Sequence, residues 1–177
     1  NIFKKNINKC NVVIISDYCK GTLSETFLKK IIKISKENNK KIVVDTKKMN
    51  FSTFKGVDLI TPNTDEFIKA TGINKSNEKK LIQTAQKMCE NLDLKGILIT
   101  RSSDGMLLVN KSYKKKINSV AKDVYDVTGA GDTVLAVVAL MKAIGIDTLL
   151  ALNFANYAAS KVIEKQGTAV ISIKDFL

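Results

Sequence analysis

The chain of 177 residues contains no histidine and no tryptophan, a single proline, and three cysteines. Without histidine, a His-based catalytic triad and a histidine-ligated zinc site are excluded by inventory. Cys10, Cys19 and Cys89 are odd in number, scattered, and never in Cys-x-x-Cys spacing, which argues against a disulfide framework and fits a reducing, cytoplasmic setting. No apolar run is long enough to cross a bilayer, and the opening Asn1 to Asn6 lacks the apolar segment of a signal peptide, so no membrane association is expected. A Gly-x-x-x-x-Gly-Lys phosphate loop is also absent, which disfavours a P-loop nucleotidase. Of 29 basic residues only Arg101 is arginine. A net charge of +12 therefore comes without the usual bidentate reader of bases, and nucleic acid is disfavoured as a partner.

A hydrophobic fraction of 45% in one domain's length of chain supports a substantial core. Asn11 to Ile15, Lys41 to Val44, Val57 to Ile60 and Ile97 to Thr100 are short β-branched runs read as buried strands. Met106 to Val109 and Tyr113 to Ile117 read as a hairpin around Asn110-Lys111-Ser112, and Asp123 to Tyr125 as one more short strand. Between these lie helical patterns. Thr22 and Glu25 have capping-box spacing before the stripe of Leu23, Phe27, Leu28, Ile31 and Ile32. A helix from about Asn63 to Thr71 stops at Gly72, and Leu81, Ile82, Ala85, Met88, Cys89 and Leu92 mark the next one. Val134 to Ile144 is apolar almost all round and is expected to be buried; Asp147 to Glu164 follows it. No repeat or linker divides the chain. Alternating strands and helices predict an α/β fold with a mostly parallel sheet and an antiparallel edge hairpin. In such sheets ligands bind outside the carboxyl ends of the strands. Polar clusters follow five predicted strands: Ser16 to Lys20, Asp45 to Lys47, Thr61 to Glu66, Thr100 to Asp104 and Asp126 to Asp132.

The last cluster, Asp126-Val127-Thr128-Gly129-Ala130-Gly131-Asp132, opens a long helix near Thr133. Two glycines let backbone approach a ligand, and the unpaired first amides of a helix suit an anion such as phosphate. A carboxylate at Asp132, beside such a site, makes sense as the base for an attacking hydroxyl. The alternative is a glycine-rich turn whose Asp132 only caps the helix. Asn63 and Glu66 likewise suit either a helix cap or a site. Lys47 faces either phosphate or solvent, Asp17 and Lys20 either a substrate or each other in a loop salt bridge, and Arg101 either phosphate or the surface.

Spacing and content together resemble the C-terminal, nucleotide-binding portion of a PfkB/ribokinase-type carbohydrate kinase. The Asp126–Asp132 segment matches that family's signature, and Asn63-Thr64-Asp65-Glu66 its Asn-x-x-Glu motif; the likeness continues through Phe154 to Ala159 and Gly167-Thr168. Within the family, Ser16 to Gly21, Thr100 to Ser102 with Gly105, and the run from Asp126 resemble the heptose 7-phosphate kinases, which feed ADP-heptose synthesis for lipopolysaccharide core.

The resemblance implies a ribokinase-like three-layer sandwich and transfer of the ATP γ-phosphoryl group to a sugar phosphate, D-glycero-D-manno-heptose 7-phosphate at O1. It places Asp132 as base, with the amides of Gly129, Ala130 and Gly131 around the transferring group. Lys47, Asn63, Thr64, Asp65, Glu66, Thr100, Ser102, Gly105 and Asn156 would border the nucleotide, and Asn63 and Glu66 would organise Mg2+ through water. Asp17 and Lys20 are the weaker candidates for substrate contact. ATP and Mg2+ are the implied cofactors, with room for a monovalent cation, K+. The family's N-terminal strands, Gly-Gly sugar-contacting segment and β lid have no counterpart before Asn11. The expectation is thus the C-terminal part of one kinase domain, partnered by a missing N-terminal segment and inactive alone. An exposed sheet edge would favour a homodimer. A histidine-bearing adenylyltransferase, often fused to such kinases, is not expected within these residues.

Overall fold

The β-branched runs become strands because both of their faces can be buried. The computed structural model describes residues 2–73, 77–121 and 123–176. Among these residues one sheet contains β1 (Val12–Asp17), β2 (Lys41–Thr46), β3 (Leu59–Ile60), β4 (Gly96–Thr100), β5 (Met106–Val109) and β6 (Lys114–Ile117), in sequence order. β1 to β4 pair in parallel, with Ile14 opposite Val43, Val44 opposite Ile60, and Ile60 opposite Ile97. β5 and β6 continue the sheet as the antiparallel edge hairpin. The helices are α1 (Ile2–Asn6), α2 (Glu25–Glu37), α3 (Thr64–Thr71), α4 (Glu78–Asn91), α5 (Ala130–Ala143) and α6 (Thr148–Ile163).

Strand alternation sorts the core into two layers. Ile42, Val44, Ile60, Ile97 and Ile99 face Leu28 and Ile32 of α2, Phe67 of α3 and Ile82 and Ala85 of α4. Val43, Leu59 and Leu98 face the other way, onto Val134 and Val138 of α5 and Leu152 and Ala155 of α6. Each of the Val, Leu, Ile and Phe side chains among them, fully buried, contributes about 1.5–3 kcal/mol of transfer free energy. The result is a three-layer α/β sandwich, with α2, α3 and α4 on one face of the sheet and α5 and α6 on the other.

Several local expectations are corrected. The Thr22–Glu25 capping box does not form: Ser24 is the N-cap of α2, and its hydroxyl accepts the Phe27 N–H at 3.2 Å. Asp123 to Tyr125 is not a strand. The amides of Tyr125 and Asp126 donate to the Ile163 carbonyl at 2.8 and 3.3 Å, so this segment is tied to the end of α6 instead of a sheet partner. Helix α5 starts at Ala130, earlier than expected, and buries only one stripe. Its inner side meets the sheet and α6, while Leu140 and neighbouring Ile144 are 58% and 65% exposed. At Gly72 the expected C-cap is present, with a left-handed φ of 68°.

Cysteine chemistry gives a direct check of this core. Cys89 is fully buried, and burial pushes its thiol up to about 11, whereas Cys19 is exposed. At pH 8 a thiol reagent should label Cys19 readily and leave Cys89 untouched until denaturant is added. Rapid labelling of Cys89 in the native chain would contradict the packing described.

Candidate active site

The carboxyl ends of β1 to β4, the start of β5 and the N-terminus of α5 surround a cavity of about 680 Å³. Ala130, Gly131 and Asp132 line it from α5; Lys47, Asn63 and Glu66 from the loops after β2 and β3; Thr100, Ser102, Gly105 and Asn156 complete the group. Ten of the residues singled out from the sequence therefore meet in one cavity.

The two glycines of the turn serve different ends. Gly129, the N-cap of α5, has φ 83°, a left-handed conformation that a side chain would strain. Its carbonyl accepts the Thr133 N–H and hydroxyl, both at 2.9 Å, which fixes the first turn. Gly131 has no such backbone demand, and an added Cβ would meet nothing within 4 Å. The fold does not use its small size; what it leaves is open approach to the helix end. Of the three amides expected to hold an anion, that of Ala130 already donates to the Val127 carbonyl at 3.2 Å. Among the described residues the amides of Gly131 and Asp132 have no backbone acceptor, and they sit at the positive end of α5.

Facing this turn is a network of charge. The Tyr18 hydroxyl donates to Asp132 Oδ1 at 3.1 Å, joining residues 114 apart in sequence. That hydrogen bond, and the charge of the carboxylate, hold the Tyr18 phenol above its ordinary value. Asn63 and Glu66 form a complete capping box for α3. Asn63 Oδ1 accepts the Glu66 N–H at 2.9 Å, and Glu66 Oε2 accepts the Asn63 N–H at 2.8 Å. The other Glu66 oxygen pairs with Lys47 Nζ, which also lies 6.0 Å from the Tyr18 ring centroid. Burial alone would lower the Lys47 ammonium, but its bond to Glu66 and the charges of Glu66 and Asp45 outweigh this and raise it. Asp45 is pushed up by burial and by the carboxylates of Glu66 and Asp132, with Lys47 opposing. The cap reading of Asn63 and Glu66 is thus realised, and both residues also line the cavity.

Asp17, Lys20, Thr64, Asp65, Arg101 and Gly129 do not line the cavity. Asp17 is buried, accepts the Cys19 N–H at 3.0 Å through Oδ1, and stands 3.6 Å from Lys48 Nζ through Oδ2. It takes the loop salt bridge, with Lys48 in place of Lys20, which is exposed. The Thr64 hydroxyl donates to the Thr100 carbonyl at 3.2 Å, and neither Thr64 nor Asp65 lines the cavity. Arg101 pairs with Glu78 at 2.9 Å. The Asn156 side chain donates to the Asn118 carbonyl at 2.7 Å, holding the segment after β6 against α6. At Gly105 a Cβ would overlap the backbone of Ile117 to Ser119, so glycine there serves packing as well as the cavity wall. Of the lining residues outside that group, Tyr18 and Asp45 bear directly on the charge network. Each sits in a polar cluster at a strand end, and that position was the available signal.

Asp45, Glu66 and Asp132 present hard oxygen donors suited to Mg2+, which takes few protein ligands and keeps several waters. Burial is the main reason that the Asp45 carboxyl is raised, with the charges of Glu66 and Asp132 adding to it against Lys47. Among the described residues no three acid, cysteine or histidine groups stand together so as to hold a metal ion by themselves.

Comparison with known proteins adds the following. Residues 2–175 match the model of the pfkB family carbohydrate kinases. The chain is 38% identical over 166 residues to the bifunctional protein HldE of Geobacter metallireducens, covering 93% of this chain and 34% of that protein. To its counterpart in Shewanella piezotolerans it is 42% identical over 163 residues, covering 92% and 34%. The chain thus spans about a third of the length of these curated relatives. Arabidopsis thaliana ribokinase, solved with ribose and ATP, superposes with a TM-score of 0.82 at 22% identity, over 95% of this chain and 54% of that one. Escherichia coli phosphofructokinase-2, solved with potassium, gives 0.84 at 18% identity, over 97% and 58%.

The Tyr18–Asp132 contact is open to titration. Ionising Tyr18 sets a phenolate beside a carboxylate and removes the donated hydrogen, so its phenol titrates above 10.0. In Asp132→Asn the charge is gone and the Tyr18 transition should move down towards that value. Ultraviolet titration, with Tyr18→Phe as the difference reference, measures it. A transition unmoved by Asp132→Asn would show that the contact is not made in solution.

Proposed function

The chain belongs to the pfkB family of carbohydrate kinases, and from that membership we propose that it carries the nucleotide site and catalytic base of an ATP-dependent sugar-phosphate kinase. The observation that carries this reading is the placement of Asp132 at the N-terminus of α5. Its carboxylate stands beside the uncommitted amides of Gly131 and Asp132, in one cavity with Lys47 and Glu66.

In the proposed reaction Asp132 accepts the proton of the attacking sugar hydroxyl, whose oxygen bonds to the γ-phosphorus of ATP as the bond to the β-phosphate oxygen breaks and ADP leaves. Phosphoryl transfer asks mainly for position and charge stabilisation. The Gly131 and Asp132 amides meet charge developing on the transferred oxygens, worth about 2.7–4 kcal/mol per well-aimed donor. The Tyr18 hydroxyl holds Asp132 Oδ1, leaving Oδ2 for the substrate proton. Lys47, with its ammonium kept charged by Glu66, faces the phosphates. Mg2+, held by Asp45 and Glu66 directly or through water, would neutralise phosphate charge.

The proposed substrate is D-glycero-D-manno-heptose 7-phosphate, phosphorylated at O1. Support comes from the likeness of Ser16 to Gly21 and Asp126 to Val134 to the heptose kinases, and from similarity to HldE along most of the chain. The same reading assigns much of the sugar-binding surface to a further segment of the kinase domain. The chain spans 54% and 58% of the ribokinase and phosphofructokinase-2 chains it resembles.

Two experiments test this reading. Calorimetry on the chain should show saturable binding of ATP with Mg2+, weakened at least tenfold in Gly131→Val, where a branched side chain enters open space before the helix end. A folded sample giving no heat with ATP would exclude a nucleotide site. In a kinase of the relatives' full length, Asp132→Asn should leave ATP binding near normal and cut transfer by about 10²–10⁴-fold. Near-normal turnover in that variant would remove Asp132 from the role of base.

A further inference from the structure

A second cavity, of about 670 Å³, lies at the opposite end of the sheet, where the parallel strands begin. Lys41 opens β2, Asp58 directly precedes β3 and Lys95 directly precedes β4. Lys36 and Lys40 enter from the end of α2, and Lys111 from the β5–β6 turn. Five lysines thus line this cavity against two carboxylates, Asp58 and Asp93.

Both carboxylates are already committed. Asp58 is buried, with Oδ2 accepting the Ile42 N–H and Oδ1 the Lys95 ammonium, each at 2.8 Å. Asp93 accepts Lys111 at 2.9 Å. Lys36, Lys40 and Lys41 have no ion-pair partner among the described residues. Lys36 is seated over Gly56, whose left-handed φ of 82° leaves, where a Cβ would stand, the space its ammonium fills. One element back, Lys142 of α5 is held below its ordinary value by burial, with Lys41 and Lys95 repelling it and Asp58 opposing.

The simplest account of these lysines is compensation of the helix carboxyl ends, since α2 and α4 both finish here. Magnitudes decide against that as the whole explanation. Each helix end is equivalent to about half a negative charge. With both ends and both aspartates counted, roughly two lysine charges around one concave site stay uncompensated. A hydrated ammonium on a flexible stem serves as a point-charge phosphate ligand. We propose that this cavity binds a compact oligophosphate anion, either free pyrophosphate or the diphosphate end of a nucleotide, at a site separate from the cavity around Asp132.

Amide-resolved NMR on the uniformly labelled chain tests this. Pyrophosphate, added without Mg2+, should shift the Gly56, Leu94, Lys95 and Ser112 amides in a saturable way. The double variant Lys36→Gln/Lys41→Gln should weaken that binding at least tenfold, and Gly131→Val should not change it. An ADP arm separates the sources: equal shifts at these amides identify a nucleotide diphosphate, and shifts with pyrophosphate alone identify the free anion. Shifts confined to Gly131 and Asp132, a uniform drift over all lysine-bearing surfaces, or unchanged affinity in the folded double variant would each overturn the proposal. If the double variant misfolds, the amide map of the unmodified chain decides alone.

Discussion

Parallel pairing of β1 to β4 with both faces buried is the constraint on which the rest depends. It sends every one of these strands towards the same edge, so the loops that follow them begin in one place. It also sorts the helix ends. The amino ends of α3 and α5 come to that edge, and the carboxyl ends of α2 and α4 to the other. An acid-rich cavity with free helix amides and a lysine-rich cavity are thus two outcomes of one topology.

Within the acid-rich cavity the balance of charge is unusual. Asp45, Glu66 and Asp132 face one ammonium, Lys47. Burial chiefly, and the carboxylates of Glu66 and Asp132 after it, raise the Asp45 carboxyl. Glu66 has a double duty: one oxygen completes the capping box of α3 and the other holds Lys47. A cap contributes typically about 1 kcal/mol, so local helix stability and the direction of a charged side chain are tied to one residue.

Much of this was legible from residue type alone. The β-branched runs at 41–44 and 97–100 could hardly be anything but buried strands, and their polar ends marked the cavity edge. The Asn63–Glu66 cap was legible too, because it is local. Asp123 to Tyr125 was misread because a short run after a hairpin looks like another strand; its amides are taken by Ile163 of α6, a partner with no sequence signature. The start of α5 came early because Gly129 reaches a left-handed φ that lets the helix begin at the next residue. Apolar composition overstated the burial of α5, since composition does not say which side is covered. The contact of Tyr18 with Asp132 was invisible for a simpler reason: residues 114 apart leave no periodic trace.

Sheet order here equals sequence order, and this bears on how the molecule assembles. Each strand finds its partner in the one made just before it, so loop closures are modest and the sheet can grow by addition during synthesis. The exception is α5, which emerges after all six strands yet packs against β1 and β2. Its docking is the long-range step, the slow kind in topological terms. Asp132 rides on that helix, and Tyr18 waits on the first strand's loop. A chain made only as far as β6 therefore holds the six described strands without Asp132, and the Tyr18–Asp132 contact forms only when the last long closure is complete.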